Sequence, residues 1–221
     1  FYCKLDSNGN TIWSKRMYAQ NDYCRGVSIT TDNFDNVFTT GHFRNKLYPL
    51  NGGSPINSVG DFDIYIMKQD SNGNVLWVKT YGSIYEDSGN SITFDKTNNY
   101  LYVTGYYSNY LAFDTIPQQT DILRGGFINK YDDNGQIIWS KRCGSYFMNT
   151  TDILIESNEQ ILISGDFLDL TDFDPSDAVL IDSSEGFSGF VLKISQNRVQ
   201  GKVFIDINEN CIREQFEKGL E

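Results

Sequence analysis

Short runs in which apolar and polar residues alternate fill most of this chain. The first complete set comprises residues 26–32 (GVSITTD), Val37–Phe43, Asp63–Gln69 and Val75–Tyr81. Each run has period two and is rich in β-branched and aromatic residues, which is typical of strands and not of helices. Two similar sets follow along the sequence. The pattern therefore predicts repeated units of four antiparallel strands.

One ten-residue segment joins the third and fourth strands of the predicted units. Residues 6–15 read DSNGNTIWSK, and close copies occupy residues 70–79 (DSNGNVLWVK) and 132–141 (DDNGQIIWSK). An Asn-Gly pair between alternating runs is a strong hairpin signal, for a turn with φ > 0 at both central residues. The side chain of the Asp that begins each copy is expected to form hydrogen bonds with the backbone of its own turn.

Two markers recur with one period along the chain. The first marker is a tryptophan, which recurs at spacings of 64 and 62 residues as Trp13, Trp77 and Trp139. The second is a glycine in the second strand, which recurs at spacings of 64 and 60 residues as Gly41, Gly105 and Gly165. A period of this length built from strands predicts β-propeller blades. We place the units near residues 1–61, 62–125 and 126–198. Because a closed ring usually has at least four blades, we expect residues 1–198 to be part of a larger propeller with further blades upstream.

Each unit is roughly twenty residues longer than an ordinary four-stranded blade. The surplus falls in three segments rich in Gly, Pro and Asn, at residues 44–61, 108–125 and 168–186. Because these segments contain short apolar runs, we predict that they form loop hairpins at one edge of the blades.

Charge and cysteine content exclude several classes of function. The 18 basic and 29 acidic residues give a net charge of -11, which repels nucleic-acid phosphates and anionic lipid headgroups. No run of eighteen apolar residues is present, so we predict no membrane insertion. The four cysteines lack zinc-ligand spacing, and a Cys3–Cys24 disulfide is compatible with an oxidising compartment.

Oxygen-bearing residues recur near the end of the chain with the spacing of a calcium loop. Positions 1, 3, 5, 7, 9 and 12 of that loop are filled by Asp206, Asn208, Asn210, Ile212, Glu214 and Glu217. Calcium takes about six to eight oxygens, including a backbone carbonyl and a terminal carboxylate, so we predict a calcium site. Cys211 stands where an EF-hand has glycine, so the loop is not an ordinary EF-hand. The alternative is a polar turn that contains Asp and Asn for backbone reasons.

Aromatic residues near predicted strand ends are candidates for stacking on a sugar ring; they are Tyr106, Tyr107, Tyr110 and Phe167. Packing between blades is the alternative for such side chains and for the tryptophans.

No residue set predicts catalysis, so we assign no catalytic residue and expect a protein that is not an enzyme. The single histidine, His42, has Tyr106 and Asp166 at its counterpart positions, which argues against a catalytic base. Two pairs of neighbouring carboxylates, Asp61/Asp63 and Asp172/Asp174, would suit a glycosidase only if they faced a cleft.

Three features together resemble the SBBP-type β-propeller repeat: the KxDxNGNxxW hairpin, strands ending V-x-T-G-[HY]-[FY], and DFDP at residues 172–175. The resemblance covers residues 1–197 and implies a large secreted or cell-surface protein, typical of the Bacteroidetes and often exported by type IX secretion. Residues 199–221 resemble the opening of SdrD B-like domains, which are calcium-stabilised immunoglobulin-like modules. The resemblances thus imply an all-β chain of propeller blades followed by the first strand of a β-sandwich domain.

The expected function is a non-enzymatic, extracellular or cell-surface module that binds protein or glycan in adhesion. Two alternatives stay open: a polysaccharide-active enzyme, either a glycoside hydrolase or a lyase, with its site on the propeller axis, and a structural spacer with no ligand.

Overall fold

The computed structural model describes residues 1–19, 23–49, 53–109, 113, 123–144, 146–156, 160–174, 180–195 and 198–199. The predicted calcium ligands (206–217), the SdrD B-like segment beyond residue 199 and Tyr110 lie outside these residues. The described residues form strands and turns, and they include no helix able to cross a membrane.

The strands, in chain order, are β1 (Tyr2–Leu5), β2 (Thr11–Lys15), β3 (Tyr18–Ala19), β4 (Cys24–Thr31), β5 (Val37–Phe43), β6 (Lys46–Tyr48), β7 (Ile56–Asn57), β8 (Asp63–Gln69), β9 (Val75–Tyr81), β10 (Ser88–Asp95), β11 (Tyr100–Tyr107), β12 (Gly125–Tyr131), β13 (Ile137–Cys143), β14 (Phe147–Glu156), β15 (Gln160–Leu168), β16 (Thr171–Asp172), β17 (Ile181–Asp182), β18 (Ser188–Ser195) and β19 (Arg198–Val199).

Three four-stranded antiparallel sheets follow one another along the chain. Their strand orders are β4-β5-β8-β9 (sheet 1), β10-β11-β12-β13 (sheet 2) and β14-β15-β18-β19 (sheet 3). The pair β1-β2 precedes them and matches the third and fourth strands of such a sheet. The prediction of repeated four-stranded antiparallel units is therefore confirmed.

The Asn-Gly hairpins have longer turns than the sequence suggested. Pairing stops at Leu5 and Thr11, so five residues make the first turn, and Gly9 donates its N–H to the Asp6 carbonyl at 3.0 Å. Positive φ falls on the glycines (83° at Gly9) and not on the preceding Asn residues, so the expected φ > 0 at both central residues is wrong. The Asp6 carboxylate accepts the N–H groups of Asn8 and Asn10 at 2.9 and 2.8 Å, as predicted for this residue.

The three tryptophans occupy equivalent places in successive sheets. Each lies opposite a lysine just before a bulge, in the pairs Lys4–Trp13, Lys68–Trp77 and Lys130–Trp139. Trp13 donates its indole N–H to the Ser71 carbonyl, and Trp77 donates to the Asp133 carbonyl, at 3.2 Å each. Each of these two rings therefore lies against the hairpin turn of the next sheet along the chain.

The recurring glycines permit close approach within each sheet. Gly41, Gly105 and Gly165 pair with an aromatic residue of the third strand, which is Tyr65, Phe127 and Phe190 in turn. A Cβ at these positions would lie 1.9–2.0 Å from a first-strand carbonyl oxygen. Only glycine fits there.

The apolar core lies between consecutive sheets. One cluster joins sheets 1 and 2 and contains Phe38, Ile92 and Tyr107, while another joins sheets 2 and 3 and contains Ile128 and Phe167. The sheets are therefore stacked face to face.

Two of the three predicted insertion hairpins are described. Strand β6 pairs with β7 in the first insertion, and β16 pairs with β17 in the third. The buried side chains Leu47, Phe113 and Phe173 show that each insertion contributes to the core.

The described cysteines are free thiols, so the Cys3–Cys24 bridge does not form in this structure. Tyr2 and Cys24 contribute to one apolar cluster, whereas Cys3 is exposed on the opposite face of β1 from Tyr2.

Candidate binding surface

Three positions at one end of each sheet carry aromatic or charged side chains that differ from sheet to sheet. All three are defined by the recurring glycine of the second strand. The first position lies three residues before the first-strand partner of this glycine, the second directly follows the glycine, and the third lies three residues before its third-strand partner. They hold Tyr23, His42 and Phe62 in sheet 1, Glu86, Tyr106 and Arg124 in sheet 2, and Phe147, Asp166 and Phe187 in sheet 3. We call this end of the molecule the loop-end surface.

In sheet 1 the three positions form an aromatic cluster. The Tyr23 ring stacks on His42 with centroids 5.9 Å apart, and Phe62 meets both rings edge to face. The Arg44 guanidinium lies 5.0 Å from the Phe62 ring and 3.4 Å from the Asp61 carboxylate. These contacts fix the orientation of the rings.

In sheet 2 the same positions form an ion pair over an aromatic ring. The Arg124 guanidinium lies 4.0 Å from the Tyr106 ring centroid and 3.3 Å from the Glu86 carboxylate. It also faces Phe147 of sheet 3 at 5.2 Å, and Phe147 meets Phe187 edge to face at 5.3 Å. One arginine thus connects the clusters of sheets 2 and 3.

A chain of polar side chains runs beneath these clusters. His42 Nδ1 lies 2.8 Å from Ser88 Oγ, which donates to Asn90 Oδ1, and the Asn90 amide donates to Asn149 Oδ1. Because the Ser88 hydroxyl has a single proton, the geometry assigns the donated proton to His42 Nδ1. Burial, followed by the charge of Arg25, lowers the His42 pKa and so favours a neutral ring with this tautomer.

Two buried aspartates anchor the connecting loops of this end. Asp63 accepts the Val59 N–H at 2.9 Å, and Asp87 accepts the N–H groups of Ser83 and Ser108 at 2.6 and 2.9 Å. Burial raises the pKa of Asp63 to about 6 and that of Asp87 to about 7. Because their carboxyl groups lie inside the protein, they act on loop geometry and not directly on a ligand.

Large apolar side chains are exposed across the loop-end surface. They are Tyr23, Val59, Ile84, Tyr85, Leu123, Tyr146 and Phe187, with Ile84 69% and Phe187 68% exposed. Backbone contacts join the segments that carry them, because Asp87 donates to the Phe62 carbonyl and Leu123 and Arg124 donate to the Tyr146 carbonyl. Exposed apolar side chains therefore occur at this end of all three sheets, and the Arg44–Asp61 and Arg124–Glu86 pairs lie among them.

The structure separates the aromatic residues that the sequence suggested for sugar stacking. Tyr107 and Phe167 are 1% and 0% exposed and belong to the core, so neither presents a ring to solvent. Tyr106 lies in the loop-end surface, but Arg124 covers its ring.

The residues missed from the sequence are Tyr23, Arg124, Phe147 and Phe187. No single residue type occupies any of these positions in all three sheets, so no invariant residue marks them. The available signal was their register, because each lies three residues before the residue that pairs with the recurring glycine of its sheet.

The carboxylate pairs considered for catalysis belong to loops. Asp61 is partly exposed beside Arg44, whereas Asp63 is buried, so the two do not face one cleft. Asp172 accepts the N–H groups of Asp174 and Leu180 at 3.0 Å each, which closes its own loop. Within the described part of the chain, no group of three His, Cys, Asp or Glu residues is placed to hold a metal.

Comparison with known proteins supports the fold. No protein-family model matches the chain. A similar curated protein is an uncharacterized WD repeat-containing protein of Acanthamoeba polyphaga mimivirus, 25% identical over 192 residues, which cover 75% of this chain and 14% of that protein. WD repeats form propeller blades of four-stranded sheets. The three sheets are β-propeller blades. The chain spans about one-seventh of that relative's length.

Proposed function

We propose that this chain is a propeller binding module that engages a protein partner through the loop-end surface. The observation that carries the proposal is the exposure of Ile84, Leu123, Phe187 and their neighbours beside two arginine–carboxylate pairs. Exposed apolar residues together with aromatic and arginine side chains are typical of protein interaction sites. Aliphatic side chains beside the rings favour protein over glycan, because a sugar is recognised mainly by aromatic faces.

We propose further that the module acts outside the cell, in adhesion, as part of a secreted or surface protein. The support is the resemblance to SBBP-type repeats over residues 1–197. The same reasoning makes residues 199–221 the proposed start of an SdrD B-like domain with bound calcium. Calorimetric titration with CaCl₂ tests this, because Asp206→Ala should abolish the heat of binding.

Variants at the two ends of sheets 1–3 test the binding surface. Purified chain is applied to arrays of extracellular matrix and cell-surface proteins, and to a glycan array. Ile84→Ser and Phe187→Ser should each weaken protein binding at least tenfold, because each removes an exposed apolar anchor.

The matched control is Phe34→Ser, which removes a 79% exposed ring from the β4–β5 turn at the other end of sheet 1. Binding should be unchanged in this variant. Loss of binding in Phe34→Ser but not in the loop-end variants would contradict the proposal, and binding on the glycan array alone would identify a lectin. Turnover of a polysaccharide panel would favour the enzymatic alternative.

A further inference from the structure

Two buried carboxyl groups lie where the loops of sheets 1 and 2 meet in the loop-end surface. Asp63 begins β8 and is 2% exposed, and Asp87 directly precedes β10 and is fully buried. The Asp87 N–H donates to the Phe62 carbonyl at 2.7 Å, which joins the two segments. The pKa of Asp87 is raised by burial and further by the charge of Asp63, so the two groups repel each other when both are ionised.

Asp63 holds the loop that leads into β8. It accepts the N–H groups of Val59 and Gly60, and its carboxyl carbon would lie 2.0 Å from a Cβ added to Gly82. Its other oxygen, Oδ1, is buried and has no hydrogen-bond partner among the described residues. A buried charge that nothing compensates costs far more than a buried neutral group. The ionised form of Asp63 therefore destabilises this closed loop.

Asp87 joins two further segments of the same surface. Its carboxylate accepts the N–H of Ser83, next to the exposed Ile84, at 2.6 Å and that of Ser108 at 2.9 Å. In the described part of the chain neither Asp63 nor Asp87 forms an ion pair. Two arginines of this surface bind other carboxylates instead, in the pairs Arg44–Asp61 and Arg124–Glu86.

Asp32 anchors a turn in a similar way but with its charge compensated. It is 3% exposed and accepts the N–H groups of Phe34 and Asn36 in the β4–β5 turn, at the other end of sheet 1. The Asn36 amide also donates to its second oxygen at 2.7 Å, and the Lys68 ammonium lies 3.7 Å away. Burial alone would raise the pKa of Asp32, but these hydrogen bonds and the Lys68 charge lower it overall.

We propose that the Asp63–Asp87 pair is a pH-dependent switch that controls the order of the loop-end surface. With the pair protonated, the loops that carry Val59, Ile84 and Tyr85 stay closed as in this structure. With both groups ionised, their repulsion and the unpartnered oxygen favour an open arrangement in which the carboxylates reach water. The effect of this change on partner binding rests on the proposed function.

The closed arrangement binds more protons than the open one. Burial raises the pKa of Asp63 to about 6 and that of Asp87 to about 7, whereas a solvated carboxyl group should titrate near 3.8. The closed arrangement is thus fully stabilised below about pH 4 and loses this stabilisation as pH rises past about 6 and then about 7. Two other titratable groups face the pair, and burial moves both away from neutral pH, because it lowers the pKa of His42 and raises that of Tyr106.

Amide hydrogen exchange of the full chain tests the switch without a partner. Exchange of the Val59, Ser83 and Ser108 amides is measured by NMR at about pH 5 and about pH 8, and each rate is divided by the intrinsic rate at that pH. The protection of these amides should fall about tenfold at the higher pH, after allowance for solvent screening.

The internal control is the turn that Asp32 anchors. The protection of the Phe34 and Asn36 amides should be the same at both pH values, because the Asp32 carboxylate is ionised throughout. An equal loss of protection at the two ends of sheet 1 would overturn the proposal, since it would mean that the whole sheet opens.

Two variants remove the charges one at a time. Asp63→Asn and Asp87→Asn keep an oxygen acceptor for the loop N–H groups but cannot ionise. Each should reduce the pH dependence of protection, at Val59 in the first and at Ser83 in the second, so either variant decides if the other does not fold. Asp61→Asn is the matched control and should behave as the wild type. A pH dependence that both Asp63→Asn and Asp87→Asn leave unchanged would overturn the proposal.

Binding to the protein array should be weaker at about pH 8 than at about pH 5, and Asp63→Asn should reduce the difference. Equal binding at the two pH values would overturn the regulatory role. An array on which nothing binds would contradict the proposed function alone, because the exchange measurement uses no partner and still decides whether the loops open.

Discussion

Single residues set how closely the strands of a blade approach one another. Gly41, Gly105 and Gly165 recur because each lies against a carbonyl oxygen on one side and an aromatic ring on the other. Their recurrence in the sequence therefore reports a steric requirement and not a turn. None of the three has a positive φ.

Gly105→Ala should lower the free energy of unfolding by about 2–3 kcal/mol, because its Cβ would lie 1.9 Å from the Ser88 carbonyl oxygen. Urea unfolding followed by fluorescence measures the change. Gly53→Ala is the control, since no atom lies within 4 Å of a Cβ there. A similar loss in both variants would contradict the steric explanation.

Stability should fall as pH rises from about 4 to about 7. The folded-state pKa values of Asp63 and Asp87 lie above the ordinary value of 3.8, so the native state binds more protons than the unfolded state in this range. Each protonated carboxyl group contributes its full stabilisation below the pKa of the unfolded state. This stabilisation is lost as pH rises past the folded-state pKa, which is about 6 for Asp63 and about 7 for Asp87.

Asp63→Asn should remove about 1–2 kcal/mol of this pH dependence, after allowance for solvent screening. The measurement is urea unfolding at a series of pH values. The control is Asp61→Asn, which changes a partly exposed neighbour. In this variant the change of unfolding free energy with pH should be the same as in the wild type. An unchanged slope in Asp63→Asn would show that this carboxyl group does not titrate in the predicted range.

At the scale of elements, the outer hairpins support one another. Trp13 lies against the turn that contains Gly73, and Trp77 lies against the turn that contains Gly135. Lys4 adds a hydrogen bond from its ammonium group to the Ser71 carbonyl at 3.1 Å. A single hairpin is only marginally stable by itself, and these contacts join it to a continuous row of outer hairpins.

Trp77→Ala should cost about 2 kcal/mol of unfolding free energy, less than a fully buried tryptophan, because the ring is only partly buried. Leu76→Ala is the matched control, since this neighbour faces the other side of β9 and is 53% exposed. Its change should be about 0.5 kcal/mol or less. Equal losses at the two positions would mean that the contact with the next turn contributes nothing.

The strands, their pairing and the equivalence of the tryptophans could be predicted from the sequence, because alternation and period are repeated signals. The turn geometry was predicted wrongly, since an Asn-Gly pair also suits a five-residue turn in which Gly alone has positive φ. Tyr107 and Phe167 were misplaced for a different reason. Both faces of sheet 2 and the inner face of sheet 3 are buried, so alternation does not tell which aromatic side chains reach solvent.

At the scale of the whole molecule, the sheets differ in how many neighbours cover them. Sheet 2 is packed on both faces, through Phe127 on one side and Ile128 on the other. Sheet 3 leaves Leu154 and Val191 exposed, and the β1–β2 pair is covered on one face. Each sheet contacts mainly its neighbours, so stability depends on position in the row.

Hydrogen exchange should therefore be slowest in β11 and β12, intermediate in β15 and β18, and fastest in β1. Mass spectrometry of peptides from a native-state exchange experiment measures this order. Thr150→Val is expected to speed exchange in sheets 2 and 3 together, because Thr150 Oγ1 is hydrogen-bonded to Thr104 of sheet 2. Uniform exchange across all strands would show that the sheets open as one unit.

The two tryptophan contacts between hairpins have a direction, since Trp13 and Trp77 each reach forward along the chain to the following turn. Sheet 1 consequently has a donor side, at Trp77, and an acceptor side, at the turn that receives Trp13. Tandem duplication of a gene segment encoding about sixty residues would supply both sides at once, so the protein could gain a blade without evolving a new interface. Divergence could then concentrate on the nine variable positions at the loop end, where changes do not disturb this forward contact.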